Sequence, residues 1–179
     1  MRRSLFAGQV LGLALLCGGA AWAGTSTLTA QTSVSTNCSV AAVAVVFGAY
    51  DPIATNAPPA SGGVDLNKTG SITITCVKGT APTIGLGLGA NASGSIRRML
   101  SGTTDFLTYE LYQPPNNVAG TACSFPGATV WGTAGPNLLA PTAAPNKTAR
   151  IYNVCGTVAA GQDPAIGTYS DTVVATVTF

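Results

Sequence analysis

The stretch Tyr169-Ser170-Asp171-Thr172-Val173-Val174-Ala175-Thr176-Val177-Thr178-Phe179 alternates with a period of two. Tyr169, Asp171, Val173, Ala175, Val177 and Phe179 fall on one side and Ser170, Thr172, Val174, Thr176 and Thr178 on the other. Mostly apolar against mostly hydroxyl is the pattern of a strand with one buried face. Phe179 is expected to face the core. The sequence stops on this strand, so the sheet it joins is expected either to stay open at its edge or to be completed by something else. The expectation is a protein that completes its neighbour's fold and has its own completed in turn.

At the other end, residues 1–23 read as a secretory signal. Arg2 and Arg3 supply a positive start, Leu5 to Leu16 an apolar run, and Ala21-Trp22-Ala23 a small-x-small cleavage pattern, which places the mature start at Gly24. Cys17 leaves with the leader. A lipid anchor on Cys17 is disfavoured because the bulky Leu16 precedes it where a small residue is expected, and the paired arginines read as an ordinary charged start rather than a twin-arginine signal. No second apolar run is long enough to span a membrane. The product is expected to be soluble and exported.

The chain carries eight Lys plus Arg, six Asp plus Glu and no histidine. Setting aside Arg2 and Arg3 leaves six positive against six negative charges, so the mature chain is formally neutral. Binding to nucleic acid or an anionic membrane needs a concentrated basic face, and neither is expected here. A mature length of about 156 residues suits one domain with a real core. Charged residues are 8% of the chain, so Thr, Ser, Asn, Gln and Gly must carry the surface. No segment sustains a helical period, and the expected class is all-β.

Four cysteines remain after cleavage, Cys38, Cys76, Cys123 and Cys155. An even number in an oxidising compartment predicts two disulfides. Zinc is the rival, but there is neither a C-x-x-C pair nor a histidine, so no metal is expected. Three pairings are possible. Cys38 with Cys76 and Cys123 with Cys155 is preferred because each bond then ties adjacent parts of the chain; each would contribute about 3 to 4 kcal/mol on the chain-entropy model.

Strands follow from the same period of two. Thr25 to Ser35 sets Leu28, Ala30, Thr32 and Val34 against Thr27, Thr29, Gln31, Ser33 and Ser35. Val40 to Phe47 is a second strand, closed by Gly48, Asp51 and Pro52. Residues 56–63 form a loop. Gly70 to Val77 and Thr83 to Leu88 follow, the latter with Gly85 and Gly87 suggesting close packing or a bulge. Ile96 to Leu100 carries Arg97 and Arg98, read as a solvated edge protected by charge rather than as a site for an acidic ligand. Phe106 to Tyr112 alternates Leu107, Tyr109 and Leu111 with polar neighbours. Residues 113–145 hold six prolines and are mostly irregular, with a short strand at Val130 to Gly132. Thr148 to Val158 precedes the final loop and the last strand. Short strands between Gly/Pro turns predict a sandwich of two packed sheets.

Several runs together resemble a known family. They are Cys38 leading into Phe47-Gly48-Ala49-Tyr50-Asp51-Pro52, the G-S-I-T-I-T-C of Gly70 to Cys76, Leu107 to Tyr112, Trp131-Gly132, Val158-Ala159-Ala160-Gly161-Gln162, and Gly167 to Thr172 before a terminal Phe. In this order, over nearly the whole mature chain, they look like the spore coat protein U domain family, which includes subunits of archaic (Csu-type) chaperone/usher pili. The resemblance implies an incomplete immunoglobulin-like β-sandwich lacking its last strand and completed by donor-strand exchange, a form of β-strand addition. It implies three partners: homologous pilus subunits, a periplasmic chaperone that lends a strand, and an outer-membrane usher.

Carried onto this sequence, the resemblance implies a donor segment at 24–36, with Leu28, Ala30, Thr32 and Val34 facing an acceptor groove, ahead of a pilin-like domain at 37–179. Leu28 and Val34 would be the apolar anchors, and Thr32 a poor one. Val173, Ala175, Val177 and Phe179 would line the groove. The fibre would serve adhesion or biofilm formation, and a single domain is expected of a shaft or adaptor subunit rather than a tip adhesin.

From the residues alone, Leu28 to Val34 could equally be the first strand of a self-contained sandwich, a secreted coat or carbohydrate-binding protein. Tyr50, Asp51 and Pro52 read as a strand-ending turn. The N-x-S/T patterns at Asn37, Asn67, Asn91 and Asn146 are short enough to arise by chance in an Asn/Thr-rich chain. An enzyme is not expected: there is no histidine, the thiols pair, and the closest carboxylates, Asp105 and Glu110, point to opposite faces of one strand. No cofactor is expected.

Overall fold

Strands that are apolar on one face must bury it against a second layer, and that requirement sets the architecture. The structure, a computed structural model, describes residues 26–179; the signal and its cleavage site lie outside them. Among the described residues seven strands appear: β1 Cys38–Val43, β2 Leu66–Cys76, β3 Thr83–Leu86, β4 Arg97–Ser101, β5 Asp105–Tyr112, β6 Arg150–Val158 and β7 Ala175–Thr178. Five form one antiparallel sheet in the order β1-β2-β6-β5-β4, and β3 pairs with β7 in a second. Between them lies one core, with Ile72 and Ile74 of β2, Leu107 and Leu111 of β5 and Tyr152 and Val154 of β6 packed against Ile84 and Leu86 of β3. The fully buried Trp131 reaches this core from the irregular segment, and its indole N–H donates to the Ile84 carbonyl at 2.9 Å.

Both preferred disulfides form. Cys38–Cys76 joins directly opposed residues of β1 and β2, and Cys123–Cys155 ties the proline-rich segment to β6. Tyr50 to Pro52 is the expected turn: the Asp51 carboxylate accepts from the backbone N–H groups of Ile53 and Ala54.

Four expectations need correction. Residues 26–37 form no strand, and Leu28 is 98% exposed; the alternation is present, but a strand needs a neighbour to take up its backbone groups. The strand expected from Val40 to Phe47 leaves its ladder at Val43. The last strand is laddered only over β7, although its alternation of half-buried and exposed residues persists from Tyr169 to Thr178. Residues 170–174 are instead held at isolated points: Ser170 exchanges two backbone bonds with Leu100, the Thr172 carbonyl accepts from Ala90, and the Val174 carbonyl accepts from Gly87. With it goes the end of the same stretch, where Phe179 is half exposed rather than facing the core.

The fourth correction is Arg97, which is fully buried rather than solvated. Its guanidinium donates to the carbonyls of Leu86, Gly87 and Trp131 and pairs with Glu110. A buried cation is tolerable only when its donors are satisfied in this way. Arg97 thereby collects carbonyls from the end of β3 and from the Trp131 segment, where no ladder continues. Arg98 points outward and stacks over Phe106, 3.9 Å from the ring centre.

Arg97→Met, which keeps much of the volume and removes the donors, is expected to cost about 3 to 5 kcal/mol, the range for stranding one side of a buried ion pair. Urea unfolding of the two proteins measures it; a loss under about 1 kcal/mol would show that these carbonyls need no charge to hold them.

Candidate functional site: an open seam in the sandwich

The feature that stands apart is a groove of about 1110 Å³ running along one side of the sandwich. Its floor is core: Leu86, Met99, Leu107, Leu111 and Val154 all contribute to its surface. One wall is residues 42–50 and the other residues 164–173 with Ala175.

The first wall exists because two glycines let the chain cross the sheet. After Val43 the backbone leaves β2 and passes over the core-facing side of Gly70 and Gly156. A Cβ on Gly156 would meet Val45 Cγ1 at 2.6 Å and the Phe47 ring at 2.9 Å, and one on Gly70 would meet the Val43 carbonyl oxygen at 2.7 Å. Phe47 then packs edge-on against Tyr109, ring centres 6.0 Å apart. Among the described residues, the backbone groups of Ala44 to Ala49 have no backbone hydrogen-bond partner.

The second wall is set by register. Ile84 opposes Val177 and Leu86 opposes Ala175, while the Val174 carbonyl bonds to Gly87. The even-numbered residues therefore direct their backbone groups at β3, and those of Val173, Ala175 and Val177 point the other way. Among the described residues the groups of Val173 and Ala175 find no partner on that side. Two strand edges with unpaired N–H and C=O groups thus face one another across an apolar floor.

Asp171 fixes this second wall to the floor. Its carboxylate accepts from the Tyr109 hydroxyl at 2.7 Å, from the Asn91 backbone and side-chain amides at 3.1 Å, and from its own neighbour Thr172 N–H at 2.9 Å. Burial, reinforced by that hydrogen bond and the Asp171 charge, pushes the Tyr109 phenol well above its ordinary range. Tyr109 therefore remains a proton donor to Asp171 across the whole working range of pH. At the far end of the groove the Tyr50 hydroxyl donates to the Ala159 carbonyl at 2.9 Å and accepts from the Gln162 N–H at 3.0 Å. The Gln162 side-chain amide in turn bonds both backbone groups of Thr108, standing in for a strand where β6 has left β5.

Of the four residues expected to line the groove, Val173 and Ala175 do so. Val177 packs against the core beyond its end, and Phe179 lies outside it. Leu28, Ala30, Thr32 and Val34 are exposed, Val34 at 78%. The wall at 42–50 was not expected from the sequence. Its signal was the apolar run past Val43 combined with glycines at the buried phase of two other strands.

Fold and site together define a two-sheet β-sandwich with one open seam. Residues 24–176 match the model of the Spore Coat Protein U domain, and the chain belongs to that family. Protein U of Myxococcus xanthus is 35% identical over 172 residues, covering 87% of this chain and 84% of that protein. A chain of the CsuC–CsuE chaperone–tip adhesion subunit pre-assembly complex, from the archaic chaperone–usher Csu pili of Acinetobacter baumannii, shares the fold with a TM-score of 0.54 and 24% identity. That match covers 82% of this chain but 41% of the other, so this chain spans less than half its length. The sandwich is of the immunoglobulin-like kind.

Gly156→Val is expected to push Val45 and Phe47 off the sheet and to cost on the order of 1 to 3 kcal/mol by overpacking. Thermal unfolding would show it, together with loss of the Phe47–Tyr109 contact in aromatic circular dichroism. An unchanged midpoint would mean the first wall is not pinned at Gly156.

Proposed function

We propose that the chain is a structural subunit of a chaperone–usher pilus, polymerised head to tail by donor-strand complementation into a surface fibre for adhesion and biofilm growth. The observation that carries the reading is the seam, where two unpaired strand edges flank an apolar floor. An alternating peptide laid between them would give each edge a hydrogen-bonding partner and cover the floor with every second side chain.

The segment 24–36 has the pattern of such a peptide. Leu28, Ala30, Thr32 and Val34 would face the floor, and Val173 and Ala175 would pair alongside them. Burying Leu28 and Val34 would each contribute about 1.5 to 3 kcal/mol. The layout proposed is a signal at 1–23, a donor segment at 24–36 and an accepting sandwich at 37–179. Export through the periplasm would require a chaperone to fill the seam until an outer-membrane usher exchanges it for the next subunit; the similar chaperone–subunit complex supports that order. The role is structural rather than enzymatic.

The test is thermal unfolding of residues 37–179, alone and with excess peptide Gly24 to Thr36. A ligand that binds only the folded form at about 100 times its Kd stabilises it by about 2.7 kcal/mol. The bare domain is expected to be unstable or to aggregate, the peptide to rescue it, and Leu28→Asp or Val34→Asp in the peptide to abolish rescue. A domain already stable and indifferent to the peptide would instead be a self-contained coat or carbohydrate-binding protein.

A further inference from the structure

The neutral mature chain is not neutral from end to end. Residues 38–50 and 162–178 run antiparallel along the seam, since β1 lies beside β7 at one end and Tyr50 meets Gln162 at the other. At the Tyr50 end stand four aspartates. Asp51 caps the turn there and Asp163 follows Gln162. Asp65 accepts from Ala160 N–H at 2.9 Å, and Asp105 opposes Ser101, which packs on Gly167. At the Cys38 end stand three cations: Lys78 just after β2, Lys147 against Asn37 and Val77, and Arg150 at the start of β6 opposite Ile74. Among the described residues Arg97–Glu110 is the only ion pair, so there none of these seven charges has a salt-bridge partner. Lys68, midway along β2, and Arg98 belong to neither end. Two exposed apolar side chains, Ile53 and Ile166, sit among the aspartates.

The chain between segment and sandwich is short. Only Ser35, Thr36 and Asn37 separate Val34 from Cys38, a span of at most about 14 Å when fully extended. A copy that places Val34 in its neighbour's seam must therefore bring its own Cys38 end, with Lys78 and Lys147, against whichever end of the neighbour the segment leaves. If the segment leaves at the neighbour's Cys38 end, cations meet cations. If it leaves at the Tyr50 end, cations meet the four aspartates.

We propose that the acidic end of each copy docks on the basic end of the copy whose N-terminal segment fills its seam, and that this match sets the direction in which the segment lies. The inference rests on the donor-strand reading above. The inserted segment then runs antiparallel to residues 169–178 and parallel to β1. Ile53 and Ile166 are covered in the same contact, and the charges both speed the encounter and penalise the reversed register.

The mature full-length chain, allowed to polymerise in low salt, tests this. Zero-length carbodiimide coupling followed by mass spectrometry is expected to join Lys78 or Lys147 of one copy to Asp105 or Asp163 of the next. Lys78→Glu with Lys147→Glu should slow polymerisation on the order of ten-fold, Asp105→Lys with Asp163→Lys should do the same, and a chain carrying all four changes should recover. The differences should vanish near 1 M salt, where charges are screened within about 3 Å. A polymer that Leu28→Asp abolishes, but that yields no such cross-links and ignores the charge reversals, overturns the end-to-end contact and leaves donor-strand assembly standing. A chain that forms no polymer sensitive to Leu28→Asp overturns both. The cross-linking is read on the unsubstituted chain, so a variant that fails to fold does not decide the result.

Discussion

A strand edge that flanks an apolar surface presents two demands at once, for hydrogen-bond partners and for removal of carbon from water. In this protein two such edges face each other, one at residues 42–50 and one at 169–175, with core side chains lining the floor between them. Neither demand is met by rearranging the sandwich. The first wall is fixed by the crossing at Gly70 and Gly156, and the second by its register on β3. Both walls of the seam are thus held by contacts within the sandwich itself.

Polar groups in the interior keep the walls in place where ladders are missing. Residues 170–174 take three different partners, Leu100, Ala90 and Gly87, and would have little to hold them in line without Asp171. Its bonds to Tyr109 and Asn91 tie this wall to β5 and to the loop after β3. Arg97 serves the same end one layer deeper, gathering the Leu86, Gly87 and Trp131 carbonyls that β3 leaves without a continuing neighbour. A sandwich missing one strand has more stranded backbone groups than a closed one, and charged side chains supply the missing donors and acceptors.

Much of this is legible residue by residue. The alternation from Tyr169 to Thr178 survives as alternating burial even where the ladder is interrupted, because side-chain phase depends on local extension and not on a particular partner. Asp171 falls on the apolar phase of that stretch, and Arg97 shares a phase with the buried Met99. A charge at a core position is itself a signal: the phase that Arg97 shares with Met99 marks it as buried and not as a solvated edge. The disulfides followed from number and adjacency because few cysteines leave few choices.

By itself, the sequence determined the all-β class, the strand periods, the two disulfides and the donor-like alternation of Leu28 to Val34. Those properties depend on neighbours along the chain, where the period of two acts directly. Only the tertiary structure decided that the Val40 to Phe47 run would leave its sheet, that Val173 and Ala175 rather than Val177 and Phe179 would border the seam, and that seven charges would separate to opposite ends. Each of these depends on which segments cross at Gly70 and Gly156 and on the register of β7 against β3. The contacts at Gly156 and between β7 and β3 join residues roughly a hundred positions apart, and no local pattern encodes them.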